Sequence, residues 1–172
     1  MRRCSEDNLT IRAAEPRDCE QLVALVNLPG YRHGTLRTPF QSTEWMRKRL
    51  ASAPLGFTEI VAEKDGAIVG KASLQQFEDR RRHAGTIGIE VHDDFQGNGI
   101  GSALLSALVD VADNWLAITR LELMVNADNV SAIRLYEKAG FEREGLMKAF
   151  AFRAGGYVDA IAMARVIAQK SI

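Results

Sequence analysis

The sequence predicts a mixed α/β fold in which a central sheet is flanked by helices. Two observations carry that expectation: the middle of the chain alternates strand, helix, strand, helix, and hairpin-like strand pairs stand on either side of it. A third bounds it. With 172 residues, 47% hydrophobic and 26% charged, the chain can bury one substantial core, and it shows no internal repeat, linker or low-complexity stretch. A single domain spanning 1–172, with its core over about 9–167, is the expectation.

The elements follow in order. "LTIRAAE" has strand character around Leu9 to Arg12, and "PRDCEQLVALVN" opens with the start signals Pro16 and Asp18. Leu22, Val23, Leu25 and Val26 then line one side of an amphipathic helix. "LPGYRHGTLRTPF" is rich in turn residues and is expected to be a loop, the kind of segment from which substrate pockets are built. In "STEWMRKRLAS" a second helix is expected, with Ser42 or Thr43 at its cap and Trp45, Met46 and Leu50 as apolar positions.

"TEIVAEKDGAIVGKASLQQF" reads as two antiparallel strands joined at Lys64, Asp65 and Gly66, because Asp-Gly accepts the positive φ that a tight hairpin requires. "RRRHAGTIGIEV" enters a strand from Thr86 to Val91. The longest helix is "GIGSALLSALVDVADNWLAI", with Leu104, Leu108 and Val111 on its core face and Leu105, Val109 and Leu116 broadening it. "RLELMV" is a strand, "NVSAIRLYEKAG" a helix stopped by Gly140. "FEREGLMKAFAF" and "YVDAIAMARVI" form a last antiparallel pair around Gly155 and Gly156.

Composition excludes several classes. Lys plus Arg number 22 and Asp plus Glu 22, so no global charge recruits nucleic acid or an anionic membrane. Cys4 and Cys19 lack metal-ligand spacing, and no metal or disulfide is expected. The basic start "MRRCSEDNLTIRAAE" is not followed by an apolar signal core, and no apolar run approaches the roughly 20 residues of a membrane span. A cytoplasmic protein is the expectation.

The most informative segment is "IGIEVHDDFQGNGIGSALLSAL". A strand runs into Gln96, Gly97, Asn98, Gly99, Ile100 and Gly101, and a helix follows. Glycines there let successive N–H groups surround a diphosphate, and a helix N-terminus offers unpaired donors and partial positive charge. Tight packing is the other reason for glycines before a helix. No Gly-Lys-Ser/Thr follows, so this is not a Walker loop, and it fits the dinucleotide fingerprint poorly.

This segment resembles motif A of the GNAT superfamily of N-acetyltransferases, in its Gln-Gly-x-Gly-x-Gly form. "LELMVNADNVSAIRLYEKAGFEREG" resembles the superfamily's motif B through Asn129, Ala132, Tyr136, Gly140 and Phe141. "TIRAAEPRDCEQL" looks like its usual opening strand and helix, so the likeness covers nearly the whole chain. "DNWL", the "DN" before the motif B helix and "GGYVDAIAMARV" are similar to the bacterial L-amino-acid N-acetyltransferases.

The resemblance implies a mostly antiparallel sheet with a splayed parallel strand pair forming an acetyl-CoA cleft. Val91 and its neighbours would pair with pantetheine, residues 96–101 would hold the diphosphate, and Asn129 would contact the cofactor or cap its helix. Tyr136 would be the general acid at the departing sulfur; its other reading is a core aromatic beside Ile133 and Leu135. Glu90, a lone acid in an apolar strand, is the candidate base, with a solvated face residue as the alternative. His33, His83 and His92 read as surface histidines. The chain departs from the family pattern at Asp93, where many members carry proline.

The implied reaction is direct attack of a primary amine on acetyl-CoA in a ternary complex, the amine being that of a free L-amino acid or similar small molecule. Protein or peptide acetylation and a noncatalytic acyl-CoA-binding module are the alternatives. An amino-acid carboxylate needs a cation, for which Arg32, Arg37 and Arg82 are candidates, while Arg80 to Arg82 also read as a solvated run. Tyr157 and Asp159, in the hairpin that borders the family's acceptor channel, would shape a side-chain pocket and attract the ammonium; a turn-proximal cross-strand pair is the alternative. A homodimer is expected from the related enzymes, through Trp115 and Leu116 or the C-terminal strands.

Overall fold

The computed structural model describes residues 8–168, so Cys4 lies outside the described residues. Seven strands, β1 (Leu9–Ala13), β2 (Phe57–Lys64), β3 (Ala67–Gln76), β4 (Ala84–Val91), β5 (Arg120–Asn126), β6 (Glu142–Arg153) and β7 (Gly156–Val166), form one sheet in the order β1-β2-β3-β4-β5-β7-β6. Every neighbouring pair is antiparallel except β4 and β5. The expected sheet is therefore present, and the single parallel pair falls where a helical crossover, α4 (Ile100–Asn114), joins its two strands.

Alternation along the strands divides the core. Val61 and Ile68 face α1 (Cys19–Val26) and α3 (Thr43–Ala51), burying Leu22, Leu25, Val26 and Met46 between them. Their neighbours Ala62 and Val69 face the other way, against Leu104, Leu105 and Leu108 of α4 and Ile133 of α5 (Val130–Lys138). Both hairpin turns are two residues long with positive φ at both positions: Asp65 and Gly66 between β2 and β3, Ala154 and Gly155 between β6 and β7. The second turn lies one residue earlier than expected, because Gly156 pairs with Arg153 as the first residue of β7.

Two further departures are local. The segment expected to be all loop contains a short helix, α2 (Pro29–Gly34), with Pro29 set for the first turn and Tyr31 buried. The long helix ends at Asn114, since Ala117 adopts φ +53, and it leaves Trp115 exposed while Leu116 packs on the core.

The parallel pair is what creates the site. β4 and β5 are bonded only at Ala84, Gly85 and Thr86, opposite Arg120, Leu121 and Glu122. Beyond them β4 stays with β3 up to the pair Val91 and Gly70, and β5 stays with β7 up to Asn126 and Ala160. The sheet opens into a gap at its centre.

Candidate active site

A cleft of about 820 Å³ occupies that gap, lined by Ile89, Glu90 and Val91 of β4, the turn at 96–101, the start of α4, one side of α5, and Tyr31 and Thr35 from α2 and its exit. Its α4 wall is backbone. Gly97 and Gly99 have φ +77 and +78, and a Cβ on either would meet nothing within 4 Å. Packing is therefore not why they are glycines; the left-handed conformation is, and it leaves the main chain bare toward the cleft. Gly101 is different, because a Cβ there would press on Leu135 at 3.3 Å, so it lets α4 and α5 close together.

No side chain caps α4, which leaves its first-turn N–H groups free for an anion. Asn98 does not line the cleft; its amide donates to the carbonyls of Phe95 and Gln96 and braces the turn. Arg134 and Lys138, one helical turn apart on α5, add cations to this end of the cleft. Neither drew attention in the sequence, where they look like an ordinary polar helix face.

Asn129 does two things. Its side-chain oxygen accepts from the N–H of Ala132 at 3.2 Å and caps α5, while the residue also lines the cleft. Tyr136 is buried, packs against Phe141 with ring centroids 5.6 Å apart, and still reaches the cleft wall. Burial first, and then the charge of Glu90, raise its pKa, so the phenol keeps its proton through neutral pH.

Glu90 arrives from the other side. It pairs with Lys71, which pairs with Val61, so its side chain lies on the α1 and α3 face while Tyr136 belongs to the α4 and α5 side. The gap lets residues from the two faces act on one another. One oxygen of Glu90, Oε2, is buried without a hydrogen-bond partner. The Tyr31 hydroxyl lies within the field of this carboxylate; burial first, and then the Glu90 charge, raise the Tyr31 pKa and keep it protonated.

Tyr31 was not singled out in the sequence because nothing local fixes it. α2 has no side-chain cap of its own, and Asp93, just past β4, accepts from the N–H of Gly30 at 2.8 Å in its place. A Cβ on Gly30 would run into that carboxylate. At the other end the carbonyl of His33 accepts from Asn126 and from Arg153, each at 3.0 Å, and Arg153 also pairs with Asp128. α2 thus spans the gap, tied to the end of β4 on one side and of β5 on the other.

Four expected acceptor residues lie elsewhere. Arg82 stands just before β4, at the end opposite Glu90, and Arg32 bonds weakly to the Leu28 carbonyl on α2. Asp159 accepts from the Ala149 N–H and Lys148, bracing a bulge in β6, and Tyr157 is exposed against Phe152. None of the four lines the cleft. His92 caps the turn at 93–95 through Nδ1.

A sheet split at one parallel pair, bare backbone at a helix start, and a carboxylate and a protonated phenol lining the same gap form a cleft suited to an anionic substrate and to proton transfer. Comparison with known proteins gives the family. The family model for the acetyltransferase (GNAT) family matches residues 21–141. The chain is 41% identical over 159 residues to the Escherichia coli L-amino acid N-acetyltransferase AaaT, covering 92% of this chain and 98% of that one. It is 28% identical over 163 residues to a Salmonella typhimurium L-methionine sulfoximine/L-methionine sulfone acetyltransferase, 88% and 90% covered. The structure of Salmonella typhimurium yncA with its cofactor acetyl-CoA superposes with a TM-score of 0.81 at 24% identity over 96% of this chain and 98% of that one, a likeness of fold. The chain belongs to the acetyltransferase (GNAT) family, and it is an N-acetyltransferase that uses acetyl-CoA.

Proposed function

We propose that this enzyme acetylates the α-amino group of a free L-amino acid or a close analogue, by direct attack with both substrates bound. The observation that carries the reading is that Glu90 and Tyr136, from opposite faces of the sheet, line the same gap between β4 and β5 and act on one another electrostatically. Acetyl-CoA supplies the activated acyl group as a thioester. The free N–H groups of Gly97 to Gly101 and the cations Arg134 and Lys138 hold its phosphates, Val91 pairs with its pantetheine, and Gln96 and Asn129 border it.

Glu90 takes a proton from the incoming ammonium, directly or through one water, so the amine attacks with a free lone pair. Tyr136 gives its proton to the sulfur as the C–S bond breaks, the second proton that the nitrogen sheds in becoming an amide returns to the phenolate through water, and the proton on Glu90 leaves to solvent. The neutral phenol that burial enforces is the form this step needs. The names of the two relatives, both acting on amino acids or amino-acid analogues, support the acceptor class.

The test is acetyl-CoA consumption over a panel of free L-amino acids, peptides with free N-termini, polyamines and aminoglycosides, with products identified by mass. Acetylation of free amino acids is the expected result; turnover of peptides alone would move the function to protein modification. We further infer that residues 9–167 act as one unit in the cytoplasm, the compartment that supplies acetyl-CoA, and that two copies pair. β6 is the outer strand of the sheet and is exposed along most of its length, with Leu146 and Met147 uncovered, and offers one face; Trp115 at the end of α4 offers another. Light scattering on the purified protein, with L146E and W115E variants, distinguishes the two.

A further inference from the structure

On the α3 side of Glu90 the strands place a row of polar residues where a core would ordinarily be apolar. Glu90 stands beside Lys71, Gly88 beside Ser73, and Ser73 beside Glu59, all on one face. Gly88 leaves this face open: a Cβ there would lie 3.7 Å from Ser73 Oγ and 3.8 Å from Glu90 Oε1. The bare strand makes a floor with Glu90 at one end and the ion pairs of Glu59 at the other.

The Glu59 side chain is only 8% exposed and is held by two cations, Lys71 Nζ and Arg49 Nη2, each at 2.8 Å. Burial opposes its charge, and these two partners together more than offset that and lower its pKa. Arg49 is not used up by this pair. Its Nε is buried with no partner, and the guanidinium lies over the Phe57 ring at 5.4 Å with its side chain 22% exposed. Arg37 lies over Trp45 at 5.1 Å and pairs with no carboxylate among the described residues. The charges of Glu90, Arg37 and Arg49 all act on the buried Tyr31 hydroxyl.

Two unpartnered buried atoms of opposite character, Glu90 Oε2 and Arg49 Nε, thus stand on the same side of the sheet. A buried donor and a buried acceptor left unmade are costly, and a ligand that supplies both partners recovers that cost. The local charges agree. Glu59 takes both Lys71 and Arg49, Arg37 has no carboxylate among the described residues, and Glu90 has an oxygen without a partner, so separate positive and negative groups are present for a ligand's carboxylate and ammonium.

We propose that Arg49, assisted by Arg37, seats the α-carboxylate of the acceptor while its ammonium lies at Glu90. The choice of a free amino acid over a simple amine or a peptide N-terminus is then made by α3 and the loop before it. This assignment rests on the acceptor class proposed above and adds the group that reads it.

The experiment compares each free L-amino acid the enzyme acetylates with the amine that lacks its carboxylate, for example L-methionine against 3-(methylthio)propylamine, for wild type, R49M, R49K and R37M. Wild type favours the amino acid. In R49M the ratio of kcat/KM for amino acid over amine falls by roughly tenfold or more, through KM for the amino acid rather than kcat. R49K, which keeps the charge and the Glu59 pair but loses the Nε donor, and R37M, whose side chain is outside the core, show smaller falls in the same ratio. Equal losses on both substrates, or an unchanged ratio in both R49K and R37M, overturn the assignment while leaving amino-acid acetylation standing. Failure of wild type to acetylate any free amino acid removes the acceptor reading itself, and this assignment with it.

Discussion

The two walls of the cleft are held together by different means. The α4 and α5 wall is built from two locally determined pieces of chain: a turn of six residues with the helix it opens, and a second helix capped by its own Asn129. The α2 wall is assembled from distant pieces. Tyr31 is placed by Asp93, Asn126 and Arg153, and it faces a carboxylate on β4 and cations on α3 and the loop before it. A wall of backbone donors tolerates variation in side chains and serves a substrate that never changes. A wall of side chains held by side chains can be re-aimed by one substitution, as a choice among acceptors requires.

Substitutions on the two walls should therefore separate, one affecting acetyl-CoA and the other the acceptor. The largest effect belongs to Glu90→Gln. It is expected to lower kcat/KM for the acceptor by about 10³ while acetyl-CoA affinity keeps its wild-type value; a loss of affinity instead would dissolve the separation. Tyr136→Phe comes next, with kcat lowered about 10² and binding of both substrates retained. Because its pKa is raised, wild-type kcat should show no decline from this phenol until the pH passes the ordinary tyrosine range near 10. The same shift makes the fold lose stability above that pH, since unfolded tyrosine ionises there while the buried one resists.

Gly99→Val tests the other wall. Forcing a branched residue to φ +78 is expected to cost about 1–3 kcal/mol and to weaken acetyl-CoA binding by roughly tenfold in calorimetry, with acceptor selectivity unchanged. The smallest effect is expected from Asp93→Ala, which leaves α2 without its cap. A loss of about 1 kcal/mol, seen as a melting temperature roughly 2–4 °C lower, should accompany a raised KM for the acceptor and an unaltered one for acetyl-CoA.

Asp93 also shows how a departure from a family pattern becomes intelligible. In the sequence it is only a missing proline whose N–H is regained. In the fold its carboxylate caps a helix more than sixty residues earlier and so places Tyr31. The expectations for Arg82, Tyr157 and Asp159 had no such support: charge and aromaticity near a turn say what a side chain is, while strand direction and partners say where it goes. Arg82 sits at the wrong end of β4 for the cleft, and Asp159 is occupied with Ala149 and Lys148.

What the sequence determined by itself is whatever depends on neighbours along the chain. Strand alternation, helical periodicity, the Asp-Gly hairpin, the positive φ of the glycine turn and the cap at Asn129 are each settled within a few residues, and together they specify the cofactor wall and the order of the fold. The resemblance implied that a parallel pair would splay; only the tertiary structure decided that β4 and β5 part after Thr86 and Glu122 and which side chains the gap brings together. Glu90 and Tyr136 come from opposite faces and line one cleft because the sheet is open between them; Glu59, which holds Arg49, shares a face with Glu90 because β2, β3 and β4 pair in one register. Register and splay are set by packing among elements far apart in sequence, and no local pattern encodes where two such side chains converge.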